Sequence, residues 1–193
     1  MNPQLVPPSV DELVRRLREG DVNTRGDAWQ NAGPLGAPAV PKVAPLMNEA
    51  EPELVRSARR ALLEIVRHAG RPGAEPDARA VEARLIEALP KLTGAQARRD
   101  LLWMLSEIGA APSIKLLSGL LTDPDLREDA RCALMRIPGD ESLTVLTTAH
   151  AAANGDFKDA LAEALSHRGR AVPGWQSRKL KPTKSTAVGT GPV

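Results

Sequence analysis

A twelve-residue pattern recurs five times along the chain, beginning at Thr24, Leu54, Ala97, Leu126 and Phe157, with starts 30, 43, 29 and 31 residues apart. The copies read TRGDAWQNAGPL, LVRSARRALLEI, ARRDLLWMLSEI, LREDARCALMRI and FKDALAEALSHR. Repetition at this period restricts the chain to architectures in which each unit buries its apolar face only against its neighbours. The fifth, eighth and ninth positions are Ala28/Asn31/Ala32, Ala58/Ala61/Leu62, Leu101/Met104/Leu105, Ala130/Ala133/Leu134 and Leu161/Ala164/Leu165. With Asn31 as the one exception, that spacing draws a single apolar stripe along a helix. The twelfth position extends the stripe with Leu35, Ile65, Ile108 and Ile137, and Arg168 breaks it in the last copy, as expected of a terminal unit.

A second amphipathic run follows each of the first four copies: Pro38 to Ala50, Ala78 to Leu92, Pro112 to Leu121 and Glu141 to Ala153. The breaks between the runs, Gly36-Ala-Pro38, Gly109-Ala-Ala-Pro112 and Pro138-Gly139, stop one helix and start another. The unit is therefore a helical hairpin. Asp123-Pro124 marks a helix start, with the carboxylate able to accept from free first-turn amides and the proline fixing φ where no donor is needed. Ser9 with Glu12 forms a capping box ahead of Leu13, Val14 and Leu17, so a capping helix is expected within residues 1–20.

With Leu126-Arg127, Ala130, Ala133-Leu134 and Ile137 as its cleanest instance, the pattern resembles HEAT repeats, and within them the short bacterial type labelled lyase-like. The resemblance covers residues 21–169, with an insertion around Arg71-Pro-Gly-Ala-Glu-Pro76. It implies an all-α fold, a right-handed α-solenoid of about five stacked hairpins, whose second helices line the concave face. It also implies a function class: such solenoids mostly hold other macromolecules, and a minority are enzymes or nucleic-acid binders.

The charge distribution divides the chain near residue 168. Beyond that point stand Arg168, Arg170, Arg178, Lys179, Lys181 and Lys184 with no acid, which leaves twenty basic against twenty-four acidic residues before it. Residues 170–193 are rich in Pro, Gly, Ser and Thr, so this tail is expected to stay flexible or to drape over a partner. Trp175 within Val172-Pro-Gly-Trp175 offers an apolar anchor, and Arg178, Lys179, Lys181 and Lys184 offer pairing with an acidic surface. The competing reading is a solvated extension that aids solubility or folds back on the mildly acidic repeats.

Catalytic and cofactor chemistry finds little support. Cys132 sits at the seventh position beside core residues, which suits an inert small hydrophobe. His68, His150 and His167 share no ligand spacing with Cys132 or one another, and the chain contains no HExxH, CxxC, GxxxxGK[ST] or GxGxxG. No catalytic residue, metal or cofactor is therefore assigned. A single cysteine excludes an internal disulfide, no segment has the roughly twenty apolar residues needed to span a bilayer, and the N-terminal residues do not resemble a signal peptide. A cytoplasmic protein without membrane insertion is expected.

The second-helix runs place Lys42, Arg79, Arg84, Lys91 and Lys115 against Glu49, Glu82, Glu87 and Glu141, too balanced for a phosphate-binding groove. On the first helices, Arg25, Arg98, Arg127 and Lys158 at the second position and Asp27, Asp100 and Asp129 at the fourth are expected to pair between neighbours as a ladder. Trp103 occupies a row otherwise held by Gln30, Arg60, Cys132 and Glu163, so it is either an exposed anchor or a lid over the next junction. Trp29 is read as packing. The leading expectation is a noncatalytic scaffold or adaptor that holds another protein or a complex subunit along its concave face, contacted through Trp103, Lys42, Arg84, Lys115 and His150, with the tail as a second docking element. The alternatives are a lyase-like protein that binds or attaches a tetrapyrrole, drawn from the resemblance alone, and nucleic-acid binding.

Overall fold

The computed structural model describes residues 9–176. Among them are ten α-helices and no strand: α1 (Val10–Glu19), α2 (Val22–Gln30), α3 (Val40–Val43), α4 (Pro52–Ala69), α5 (Glu75–Ala88), α6 (Ala95–Ile108), α7 (Ala111–Leu120), α8 (Arg127–Arg136), α9 (Asp140–Ala152) and α10 (Gly155–His167). None is long and apolar enough to cross a membrane. The five copies of the repeated pattern fall on α2, α4, α6, α8 and α10. These pack in succession, α2 on α4, α4 on α6, α6 on α8 and α8 on α10. The second helices do the same, α3 on α5, α5 on α7 and α7 on α9.

The stripe explains this order. Every fifth, eighth and ninth position from Ala28 to Leu165 is buried except Asn31, as are Ile65, Ile108 and Ile137 at the twelfth. Alanine at the fifth and eighth positions lets neighbouring helices approach, while the leucines at the ninth fill the space between them, each worth about 1.5–3 kcal/mol of transfer free energy. Asn31 ends α2 instead of continuing it, and its side-chain amide donates to the Asp27 carbonyl at 2.8 Å.

The run from Pro38 to Ala50 departs from expectation. It is a chain of 3-10 turns around the four-residue α3, because Pro38, Pro41 and Pro45 each lack the N–H that an α-helix would use. The other three second helices match their predicted spans to within about four residues. Capping proceeds largely as the residues suggest. Ser9 Oγ accepts from the Glu12 amide at 3.1 Å and Asp21 Oδ1 from the Thr24 amide at 2.7 Å. Asp123 Oδ1 takes the amides of Asp125 and Leu126, organising the turn that leads into α8. Glu12 does not reach back to Ser9; its carboxylate pairs with Arg15 and Arg16.

Two polar clusters fasten consecutive hairpins. Glu82 of α5 is 1% exposed, and its Oε1 accepts from the Ala110 amide at 2.7 Å, the Ser113 amide at 3.2 Å and the Ser113 hydroxyl, while Oε2 pairs with Arg79. Arg79 in turn donates to the Ile108 carbonyl. One ion pair thus satisfies both the free amides that open α7 and a carbonyl that closes α6. One hairpin further, Arg168 donates to the carbonyls of Ile137 at 2.7 Å, Gly139 at 2.9 Å and Leu134 at 3.2 Å, and to Ser142 Oγ at 3.0 Å. Ser142, fully buried, donates to the Ile137 carbonyl at 2.7 Å. Gly169 then turns the chain with φ +75°, and the Arg170 amide reaches the Leu165 carbonyl at 2.9 Å, a Schellman ending that returns Val172 onto the core.

Candidate protein-binding site

The expected contact residues divide between two surfaces. Lys42, Arg84, Lys115 and His150 lie on the second-helix row, on α3, α5, α7 and α9 respectively, whereas Trp103 is on α6 in the first-helix row. Along the second-helix row the charges are largely internal to the fold. Lys42 Nζ stands 3.9 Å from Asp11 Oδ1, and Arg84 is held by Glu87 at 2.8 Å. Arg79 and Glu82 serve the α6–α7 turn, as described. Lys115 is exposed and His150 half-buried. A cleft between Pro41, Ala44, Pro45 and Arg84, Ala88, Leu92 has a volume of about 30 Å³, enough for a water and too small for a side chain.

The first-helix row offers a larger feature. Trp103 is 46% exposed, and the only other large apolar side chain so exposed among the described residues is Val22. Arg136 of α8 lies over the indole, its guanidinium carbon 4.3 Å from the ring centroid, and Arg136 Nη2 is 3.5 Å from Glu107 Oε1. The ring is therefore both exposed and set across the junction to the next hairpin. Beside it runs an open groove of about 830 Å³, lined by Ser106, Glu107, Met135, Arg136, Pro138, His167 and Arg168. These residues come from the C-terminal ends of α6, α8 and α10, which packing of successive first helices brings to one edge.

Arginine covers Trp29 and Phe157 of the first helices as well. Arg60 stands over Trp29 at 5.1 Å and Arg127 over Phe157 at 4.8 Å, and both rings are partly buried against the core. Trp103 differs in being substantially open to solvent. In place of the ladder expected between second-position bases and fourth-position acids stand two pairs between hairpins drawn from other positions. Asp100 Oδ1 lies 2.9 Å from Arg59 Nε and Asp129 Oδ2 3.4 Å from Arg99 Nε, so the basic partners stand at the sixth and third positions. Arg25 and Arg127 have no acid at the fourth position of the following copy, where Ser57 and Ala160 stand. Arg25 pairs with Glu51 instead, and the buried Nε atoms of Arg25, Arg98 and Arg99 have no hydrogen-bond partner.

Cys132 is partly buried, and burial pushes its thiol above the ordinary range despite the Arg131 guanidinium 3.2 Å from Sγ. A thiol so placed is a poor nucleophile. Among the described residues no group of three His, Cys, Asp or Glu side chains is arranged to hold a metal ion. Trp175 is half-buried, and its amide donates to the Val172 carbonyl at 3.2 Å. Arg178, Lys179, Lys181 and Lys184 lie outside the described residues.

Sequence reasoning found Trp103 from its row but missed Arg136, Glu107, Pro138 and Arg168 as its surroundings. It also missed Glu82. The available signal was Ser113 and Ser142, each five residues after the twelfth-position isoleucine of its copy, a recurrence that marks a shared polar fastening.

No family model and no curated protein matches the chain. Among solved structures it is similar to the crystal structure of an engineered protein, at 21% identity over 82% of this chain and 78% of that one, with a TM-score of 0.44. The chain is an all-helical, helical-repeat-like protein. Its successive packing of first on first and second on second helices rests on its own geometry.

Proposed function

We propose that the chain is a HEAT-like right-handed α-solenoid that acts as a noncatalytic scaffold or adaptor, holding another protein against its repeats. The observation that carries this reading is Trp103, a large ring left 46% exposed where Trp29 and Phe157 are packed, and covered by the Arg136 that lines an open groove. A tryptophan spends apolar area on solvent at some loss of stability, and tryptophan and arginine are the side chains most enriched among residues that dominate binding energy. The reading places the main contact on the first-helix edge at Trp103. Lys42, Arg84, Lys115 and His150 on the second helices form a subsidiary contact, because two of those three cations already face acids. The basic residues Arg178, Lys179, Lys181 and Lys184 give a second, charge-driven docking element.

Photocrosslinking in source cells tests the reading. A benzoylphenylalanine at position 103 is expected to capture one discrete protein, and the same group at position 115 to capture less of it. Recovery of pigment or nucleic acid in place of protein, or of no crosslinked protein from either position, would refute the scaffold.

A further inference from the structure

Resting on that reading, we infer that the groove beside Trp103 receives an extended acidic peptide, an apolar side chain against the indole and a carboxylate against Arg136. The groove is open along its length and large enough for several side chains, and it is bounded by helix ends instead of a closed wall, which suits a linear segment over a compact ligand. Its apolar lining is Met135 and Pro138, and the exposed Trp103 ring stands beside it under Arg136.

The electrostatics select the sign of the occupant. Three helix C-termini meet at this edge, and their free carbonyls would make it attractive to cations. Arg168 removes that preference. Its guanidinium takes the carbonyls of Leu134, Ile137 and Gly139, so the partial negative charge at the end of α8 is covered. What remains is Arg136, with Glu107 as the single carboxylate of the lining, at 3.5 Å. With Arg168 committed to the α8 carbonyls, the charge that can meet an occupant at the rim is Arg136, which Glu107 holds only loosely. The 3.5 Å separation is also looser than a charge-assisted hydrogen bond of about 2.7–2.9 Å, so Arg136 can donate to a second carboxylate while it stays over the indole.

Arginine at this site is specific in a way lysine is not. A guanidinium stacked on a ring has its N–H edge free to pair in the ring's plane, whereas an ammonium presents a point charge. The arrangement therefore favours a carboxylate placed one or two residues from the apolar anchor, and it disfavours a basic segment through Arg136 and Arg168 together.

Selection of random twelve-residue peptides displayed on phage against the folded chain tests the inference, with affinities of synthesised winners measured by fluorescence anisotropy. The expected winners carry Asp or Glu beside an aromatic or aliphatic residue and weaken as salt rises. Trp103→Ala and Arg136→Glu should each lower affinity about tenfold or more, as substitutions at a central anchor do. Arg136→Lys should recover only part, Arg56→Ala on α4 should leave affinity unchanged, and Arg84→Glu and Lys115→Glu should lower it less than Trp103→Ala does. Circular dichroism checks that each variant is folded. Winners that are basic, or binding that follows Arg84 and Lys115 and ignores Trp103, would overturn the groove while leaving a scaffold that binds through its second helices. An absence of winners would overturn the groove alone, since the crosslinking experiment decides the scaffold separately.

Discussion

Removing the Glu82 carboxylate should be among the most damaging single changes to this fold, although its i,i+3 spacing from Arg79 makes it look like an ordinary surface pair. Glu82→Ala deletes the acceptor for the Ala110 and Ser113 amides and the Ser113 hydroxyl, and strands the Arg79 guanidinium that also holds the Ile108 carbonyl. Losing one partner of a buried, hydrogen-bonded pair costs about 3–5 kcal/mol. Arg79 is 43% exposed and can rehydrate, which places the expected loss at the lower end, about 3 kcal/mol. Glu82→Gln keeps a carbonyl oxygen for the Ala110 amide and loses the charge, so its loss should be about 1–2 kcal/mol. Glu87→Ala is the control: Glu87 pairs with Arg84 at the same i,i+3 spacing, but both side chains are about half exposed, and such pairs contribute about 0–1 kcal/mol.

Urea unfolding followed by circular dichroism measures all three. The slope of the transition must stay constant across the set for the midpoints to be compared, because a repeat protein can lose cooperativity when one junction weakens. A Glu82→Ala variant no less stable than Glu87→Ala would show that burial of Glu82 does not make its hydrogen bonds matter, and the account of the α6–α7 junction would fail.

Replacing Arg168 by Met keeps the apolar stem and removes the donors to four carbonyls and Ser142; a loss of about 2–3 kcal/mol is expected, with amide exchange quickening first in α9 and α10. Gly109→Ala places a Cβ 2.5 Å from the Leu105 carbonyl oxygen and 2.8 Å from Ile137 Cδ1, and overpacking of that kind costs about 1–3 kcal/mol in thermal unfolding. Gly26→Ala, inside α2 with nothing near the added methyl, should do the opposite and stabilise by about 0.5–1 kcal/mol. Glu12 should titrate at about 2 by carbon-detected NMR, held below its ordinary value of 4.5 by hydrogen bonds from Arg15 and then Arg16. A carboxyl lowered on folding adds stability that is complete above 4.5 and disappears as pH falls toward 2, so α1 should fray across that window.

How much of this was legible in the chain depends on the distance over which each feature is encoded. The buried stripe was readable because Ala58, Ala61 and Leu62 and their counterparts repeat within one helix, at a spacing that backbone geometry fixes. The collapse of the α3 region into 3-10 turns was also written locally, in Pro38, Pro41 and Pro45, but amphipathic periodicity masks it unless the missing N–H groups are counted. The ladder was half readable: acids at the fourth position recur, whereas the arginine that serves each acid depends on which residue the next hairpin sets opposite. The groove was not readable. Its lining joins Ser106, Pro138 and Arg168 from three copies, and no spacing within one copy brings helix ends together.

Arg168 shows why a break in a repeat deserves a structural account. At the position held elsewhere by Ile65, Ile108 and Ile137, a charge suggests only that the apolar stripe has ended. In the fold its head closes α8, braces Ser142 and lines the groove, so one side chain couples the seating of the last helix to the electrostatics of the edge. That coupling separates it from Arg136, whose contacts are the exposed indole and an acid at the rim. Arg136→Glu should therefore change peptide affinity with stability nearly untouched, while Arg168→Met should lower both together. Equal stability losses at the two positions would mean that the Arg136 stack is structural. The exposed tryptophan would then belong to the junction between hairpins, with no role as an anchor for a partner.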